Sequence, residues 1–174
     1  KSLQADAELC VMISEILEKC GLSKDEYIIK ISSRKITEEL FKKINIDNNT
    51  QKLTALRALD KIDRLGWEGV KQLLGQGRKD KSGDFTNGAN LSSSNVETIE
   101  NELKKKVPET EDLLEILKIF KDYNFGNFEF DPSIIRGLEY YTGPIFEVNL
   151  KFDVKNNKGQ VIQFGSIGGG GRYD

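Results

Sequence analysis

Residues 134–174, IIRGLEYYTGPIFEVNLKFDVKNNKGQVIQFGSIGGGGRYD, decide the fold class. Aromatic and β-branched residues fill 137–152 and recur at 161–167, the composition of strands. KNNKG at 155–159 lies between the two runs and supplies the residues of a tight turn. The pattern predicts an antiparallel hairpin from 144 to 167. FEFD at 128–131 reads as a further strand just upstream.

Working outward, residues 3–20 predict a helix, with Leu9, Met12 or Ile13, Ile16, Leu17 and Cys20 at helical spacing and Gly21 placed to end it. EYIIKIS at 26–32 alternates Tyr27, Ile29 and Ile31 to one face, as a strand does, and ITEELFKKI at 36–44 reads as a second helix. The middle differs. Leu56, Leu59, Ile62 and Leu65 make a helical face over 54–65 that stops at Gly66, and WEGVKQLL continues it over 67–74. Residues 75–94 are rich in Gly, Ser, Asn and Asp and read as loop. Ser94 with Glu97 forms a capping-box pattern for a helix over 95–106, and Leu113, Leu114, Leu117, Phe120 and Tyr123 give another over 110–123. The expectation is an α+β fold: an antiparallel sheet built from 1–50 and 126–174, interrupted by an all-α insertion at 51–125.

Composition narrows the chemistry. The chain has 174 residues, with 26 Lys and Arg against 28 Asp and Glu, so a nucleic-acid partner would need a local basic patch. No apolar run approaches the roughly 20 residues of a membrane span, and the first ten residues lack signal-peptide order; a cytoplasmic protein is expected. There is no histidine, which excludes Ser-His-Asp and Cys-His catalysis and His-ligated zinc. Cys10 and Cys20 would lie about 15 Å apart along one helix, too far for a disulfide, and read as reduced, partly buried thiols. No metal site is expected. The start without Met and the stop just after a glycine run suggest a fragment.

Three candidate sites remain. In IIRGLEYYTGPIFEV, Arg136 follows two apolar residues and is either a strand-edge charge or a cleft cation. Strict alternation sends the rings of Tyr140 and Tyr141 to opposite faces, so Arg136 and Tyr141 can share a cleft only if the chain turns or bulges between them, at Gly137. In GSIGGGGRYD, four consecutive glycines are a flexible linker, a tight strand end, or a backbone that must lie against a ligand too closely for a Cβ; no phosphate-binding Lys-Ser/Thr pair follows. The basic clusters Arg78, Lys79, Lys81 and Lys104, Lys105, Lys106 are a solvated surface or a phosphate contact.

RGLEYYTGPIFE at 136–147 followed by GGGGRYD at 168–174 resembles the two signature segments of the histidyl-tRNA synthetase family, R-G-L-D-Y-Y-T-G-x-x-F-E and G-G-G-R-Y-D-G-L. ADAE at 5–8, DKIDRLG at 60–66 and GRKDKSGDF at 77–85 also look like its bacterial members, so the resemblance covers essentially the whole chain. It implies a class II synthetase, a homodimer that uses ATP with Mg2+ to activate histidine and passes it to its tRNA. Its catalytic domain is an antiparallel sheet, and its helical insertion reaches toward the acceptor stem. Carried over, Arg136 matches the arginine that contacts the α-phosphate. Tyr141 and Tyr173, with Tyr140 a weaker candidate, match the histidine pocket, and Gly169, Gly170 and Gly171 match the glycines on which the substrate lies. Arg172 and Asp174 are expected to be structural, and Glu139 replaces the usual Asp. Class II motifs 1 and 2 are expected before Lys1, and motif 3 and the anticodon-binding domain after Asp174, so the chain alone should be inactive. A non-catalytic histidine sensor of the kind that regulates histidine biosynthesis is the competing reading; such relatives tend to lose the arginine and the insertion. An RNA-binding helical module is a third, and it leaves the tyrosines and glycines unexplained.

Overall fold

The computed structural model describes residues 2–136, 140–162 and 165–173. The elements in chain order are α1 (Leu3–Lys19), β1 (Tyr27–Ser33), α2 (Arg34–Lys43), α3 (Asn49–Leu59), α4 (Ile62–Leu74), β2 (Gly77–Lys79), β3 (Phe85–Asn87), α5 (Ser93–Leu103), α6 (Glu111–Asp122), β4 (Phe128–Phe130), β5 (Tyr141–Leu150), β6 (Val154–Lys155), β7 (Val161–Ile162) and β8 (Gly168–Tyr173). Four strands form one sheet in the order β4-β1-β5-β8. β5 runs antiparallel to β1 and β8, while β4 runs parallel to β1. The fold is α+β, as the strand and helix patterns imply.

Period-two alternation divides the sheet's faces. Tyr27, Ile29 and Ile31 of β1 and Phe146 and Val148 of β5 enter one core with Phe130. That core is closed by Ala7 and Cys10 of α1 and by Leu113, Ile116, Ile119 and Phe120 of α6. Polar contacts fix both helices to β1. The Ser14 hydroxyl lies 2.6 Å from the Tyr27 hydroxyl, and Ser33 donates to the buried Asp112 carboxylate at 2.7 Å. Burial pushes the Cys10 thiol up to about 12, with Asp6 adding to the shift, so it behaves as a small apolar residue, whereas Cys20 is exposed.

A second core joins Leu40, Phe41, Ile44 and Ile46 to Ala55, Leu56, Leu59, Val70, Leu73, Leu74, Leu91, Val96 and Ile99. It belongs to α2–α5. The helix at 110–123, grouped by sequence with that helical middle, instead buries its apolar face against the sheet. Its stripe of Leu113, Ile116 and Phe120 is as suited to one core as the other, and pattern alone does not choose.

The structure corrects four details. The loop at 75–94 contains a two-stranded ribbon, Gly77–Lys79 with Phe85–Asn87, so the middle is not wholly helical. Ser92, not Ser94, caps α5: its hydroxyl accepts from the Asn95 N–H at 3.2 Å, two residues earlier than the Ser94–Glu97 pattern implied. The turn at 155–159 does form, between β6 and β7, but this is a short ribbon of its own. The ladder partner of β5 is β8, so the long antiparallel pairing joins 141–150 to the glycine run instead of to 161–167. Gly66 does break its helix, with φ 65° inside α4.

The polar face of the sheet carries Lys30 and Asp131, 2.8 Å apart. Burial works against the charge of both. Their mutual hydrogen bond outweighs it, raising Lys30, and with Ser133 it lowers Asp131 below the ordinary carboxylate range. A depressed carboxylate contributes stability above its unfolded pKa and loses it as pH falls through the folded value. Asp131→Asn is therefore expected to cost about 1–3 kcal/mol at pH 7. Urea unfolding at successively lower pH should show that difference shrinking as the pH falls below the ordinary aspartate range and through the depressed value of Asp131.

Candidate active site

β5 and β8 present one site face. On β8, alternation puts Gly169, Gly171 and Tyr173 on this face and Gly168, Gly170 and Arg172 on the other. The surroundings agree. A Cβ at Gly170 would meet the Phe146 ring at 3.0 Å, on the core side. A Cβ at Gly171 would meet Ile145 Cγ2 at 2.7 Å and Tyr141 Cδ1 at 2.8 Å. At Gly169 it would fall on Nη1 of Arg136, with Cζ of the same side chain at 3.2 Å. These glycines therefore sit in a strand because neighbouring groups occupy the space of the missing side chains. The run is thus a paired strand and not a linker, and the groups that lie against it are the chain's own Arg136, Phe146, Ile145 and Tyr141.

Arg136 is held at both ends. Its Nη1 donates to Glu147 Oε1 at 2.9 Å. Its backbone carbonyl accepts from Nη1 of the buried Arg34 at 3.2 Å. Its guanidinium carbon lies 6.0 Å from the centre of the Tyr141 ring, within cation–π range. Arg136 and Tyr141 thus share a cleft. The turn required between them falls at 137–139, outside the described residues.

The three tyrosines cluster. Tyr140 lies in a turn ahead of β5, so the expected opposition of its ring to that of Tyr141 does not hold: the ring centres are 4.6 Å apart. Tyr140 also meets Tyr173 edge-on at 5.8 Å, and Tyr141 pairs with Tyr173 across the ladder. A hydrogen bond with Tyr141 holds the Tyr140 phenol above its usual value. Exposure grades outward, from Tyr141 at 8% to Tyr140 at 51% and Tyr173 at 66%. Three phenols, donors and acceptors at once, therefore line an open rim beside a fixed guanidinium.

Arg172 turns to the opposite face and pairs with Asp6 in the first turn of α1, so its contacts tie the helix to the strand. Asp174 lies outside the described residues. Sequence reasoning did not single out Arg34 or Glu147. Period two from Tyr141 reaches Glu147 on the same face; nothing in the sequence links Arg34 to a carbonyl 102 positions away.

The basic clusters are less free than their sequence suggests. Lys104 pairs with Glu100 at 2.6 Å and is the main cause holding that carboxyl down to about 2. Lys105 lies 2.8 Å from both Glu102 and Glu109. Arg78 and Lys79 lie on β2, with Lys81 in the turn that follows. Among the described residues no group of three or more His, Cys, Asp or Glu is gathered to hold a metal ion, and no helix is long and apolar enough to cross a membrane.

The family model for histidyl-tRNA synthetase matches residues 1–174. The chain belongs to the histidyl-tRNA synthetase family. It is 43% identical to the histidine–tRNA ligase of Bartonella henselae, over 99% of this chain and 40% of that protein. Against the histidine–tRNA ligase of Rhodopseudomonas palustris the identity is 42%, over 98% of this chain and 40% of that one. The chain thus spans about 40% of the length of the curated relatives it matches. Histidyl-tRNA synthetase from Nostoc sp. PCC 7120 shares the fold, with a TM-score of 0.69 and 23% identity over 86% of this chain and 37% of that one. An ATP phosphoribosyltransferase regulatory subunit/histidyl-tRNA synthetase from Bacillus halodurans does so with a TM-score of 0.62 and 20% identity, over 100% of this chain and 43% of that one.

Proposed function

We propose that this chain is the part of a histidine–tRNA ligase that recognises histidine and supplies the arginine for its activation. The observation that carries the reading is one assembly: Arg136, fixed above Gly169, beside Tyr141 and its partners Tyr140 and Tyr173. In the reaction, a histidine carboxylate oxygen attacks the α-phosphorus of ATP, the bond to pyrophosphate breaks, and histidyl-adenylate forms. Charge builds on the α-phosphate, and Arg136, permanently charged and fork-shaped, stabilises it. The phenols of Tyr140, Tyr141 and Tyr173 read the two ring nitrogens of the imidazole, each able to donate to one nitrogen or accept from the other. Gly169 and Gly171 are the glycines on the face the substrate would meet, whereas Gly170, matched to the same role by sequence, faces the Phe146 ring on the core side. The acyl group then passes to the terminal adenosine of the tRNA.

Mg2+ enters with ATP as its counter-ion. Among the described residues no group of three or more carboxylates or other ligands is gathered to hold it. The full-length protein is proposed to be a cytoplasmic homodimer. The competing sensor reading is disfavoured by Arg136 and by the helical middle, both present here. The test is histidine-dependent ATP–pyrophosphate exchange by the full-length protein. No exchange, together with saturable histidine binding, would move the reading to a sensor.

For tRNA, Arg78, Lys79, Lys81 and Lys106 are the proposed phosphate contacts, with Lys104 and Lys105 secondary because of their glutamate partners. Replacing Arg78, Lys79 and Lys81 together by Ala should weaken tRNA binding and flatten its salt dependence by up to about three phosphate contacts. An unchanged salt slope in a filter-binding titration would remove this surface from the interface.

A further inference from the structure

The ladder between β5 and β8 places Glu147 directly opposite Gly169. The Arg136 guanidinium occupies this step of the ladder: Nη1 fills the space of the absent Gly169 side chain and donates to Glu147 at 2.9 Å. A strand that offers a missing side chain and a carboxylate at the same rung is a seat for one planar cation. We propose that Glu147 is a positioning residue of the activation step, holding the Arg136 guanidinium on Gly169 before the nucleotide arrives. The inference rests on the role given to Arg136 above and adds what fixes that arginine in place.

The neighbours explain why this carboxylate does so. Glu147 is largely buried, 18% exposed, and burial keeps its carboxyl above the usual carboxylate range while Arg136 pulls it back. The charged groups facing it are Lys30, its other ladder neighbour, with Asp131 after β4, Asp60 at the end of α3 and Asp63 in the first turn of α4; all line one cavity of about 120 Å³. Lys30 already pairs with Asp131. Arg136 is thus the main cation offsetting the charge of Glu147, with Lys30 a lesser one. In turn, Glu147 accepts from Nη1, one nitrogen of a guanidinium with five N–H donors, so the pair can persist while other donors meet a phosphate. A long arginine fixed in advance does not have to be ordered during the reaction, which is where positioning raises the rate.

The test uses the full-length protein and histidine-dependent ATP–pyrophosphate exchange. Glu147→Gln keeps the size of the side chain and removes its charge. Its kcat is expected to fall about 10–100-fold, with KM for ATP and histidine changed by less than about threefold. The unfolding midpoint should stay near that of the parent. A residue acting through Arg136 has nothing left to position once that side chain is gone. The Arg136→Ala/Glu147→Gln double variant is therefore expected to be no slower than Arg136→Ala alone. An active parent in which the two losses multiply, or in which Glu147→Gln is harmless, overturns this inference and leaves the functional reading standing. A parent without exchange overturns both.

Discussion

Arg136→Ala in the full-length protein is expected to lower histidine-dependent ATP–pyrophosphate exchange by about 100-fold or more, on the order of 3 kcal/mol of transition-state stabilisation. Most of the loss should fall in kcat, because charge on the α-phosphate grows only as the carboxylate attacks. Arg136→Lys should recover little. Lysine keeps the charge but lacks the fork that donates to Glu147 from one nitrogen and leaves further donors for a phosphate. Folding is touched less, though removing the cation strands a largely buried Glu147, so a stability loss of about 1–3 kcal/mol accompanies the kinetic one. The two effects separate experimentally: exchange is measured at a temperature where circular dichroism shows both proteins folded. A fully active Arg136→Ala would keep the synthetase reading and discard the role of this arginine.

What the sequence revealed, and what it did not, follows from how far each signal reaches. Helix α1 was legible as a helix but not in its packing face: Leu9, Met12, Ile16 and Cys20 are exposed, and Ala7, Cys10 and Ser14 are buried, with Ile13 and Leu17 partly so. Strand β1 was legible because Tyr27–Ser33 carries a clean two-residue period. The β8 strand was not. GGGGRY has almost no strand propensity, and its place in the sheet follows from what packs over it: Phe146 on one face, and Arg136, Ile145 and Tyr141 on the other. The same blindness assigned VIQFGSI, the better strand by composition, as the partner of β5. The signature segments did locate Arg136, Tyr141 and Tyr173, and all three converge. Alternation misplaced Tyr140 because that residue lies in a turn ahead of the strand, where period two does not apply. Arg34 and Glu147 went unassigned because their roles exist only through contacts with Arg136, and contacts between distant positions leave no periodic trace.

Gly169→Ala and Gly171→Ala, two residues apart on one strand face, should fail in different ways. At Gly171 the new methyl would lie 2.8 Å from the Pro144 carbonyl oxygen, 2.7 Å from Ile145 Cγ2 and 2.8 Å from the Tyr141 ring. Backbone and a buried ring cannot step aside alone, so β5 and β8 must part, at a cost of about 1–3 kcal/mol of stability. At Gly169 the methyl would meet chiefly the guanidinium of Arg136, with the Phe146 carbonyl oxygen at 3.0 Å. The end of an arginine can swing away, so the fold should lose no more than about 1 kcal/mol. The swing takes the guanidinium off its seat, and misplacement of about 1 Å is enough to cost up to about 100-fold in rate. Urea unfolding combined with pyrophosphate exchange distinguishes the pair: Gly171→Ala should shift the midpoint strongly, and Gly169→Ala should remain folded and lose exchange. Full exchange in Gly169→Ala would mean that Arg136 works from somewhere other than this rung of the ladder. The space at Gly169 would then be required neither by the arginine nor by the bound substrate.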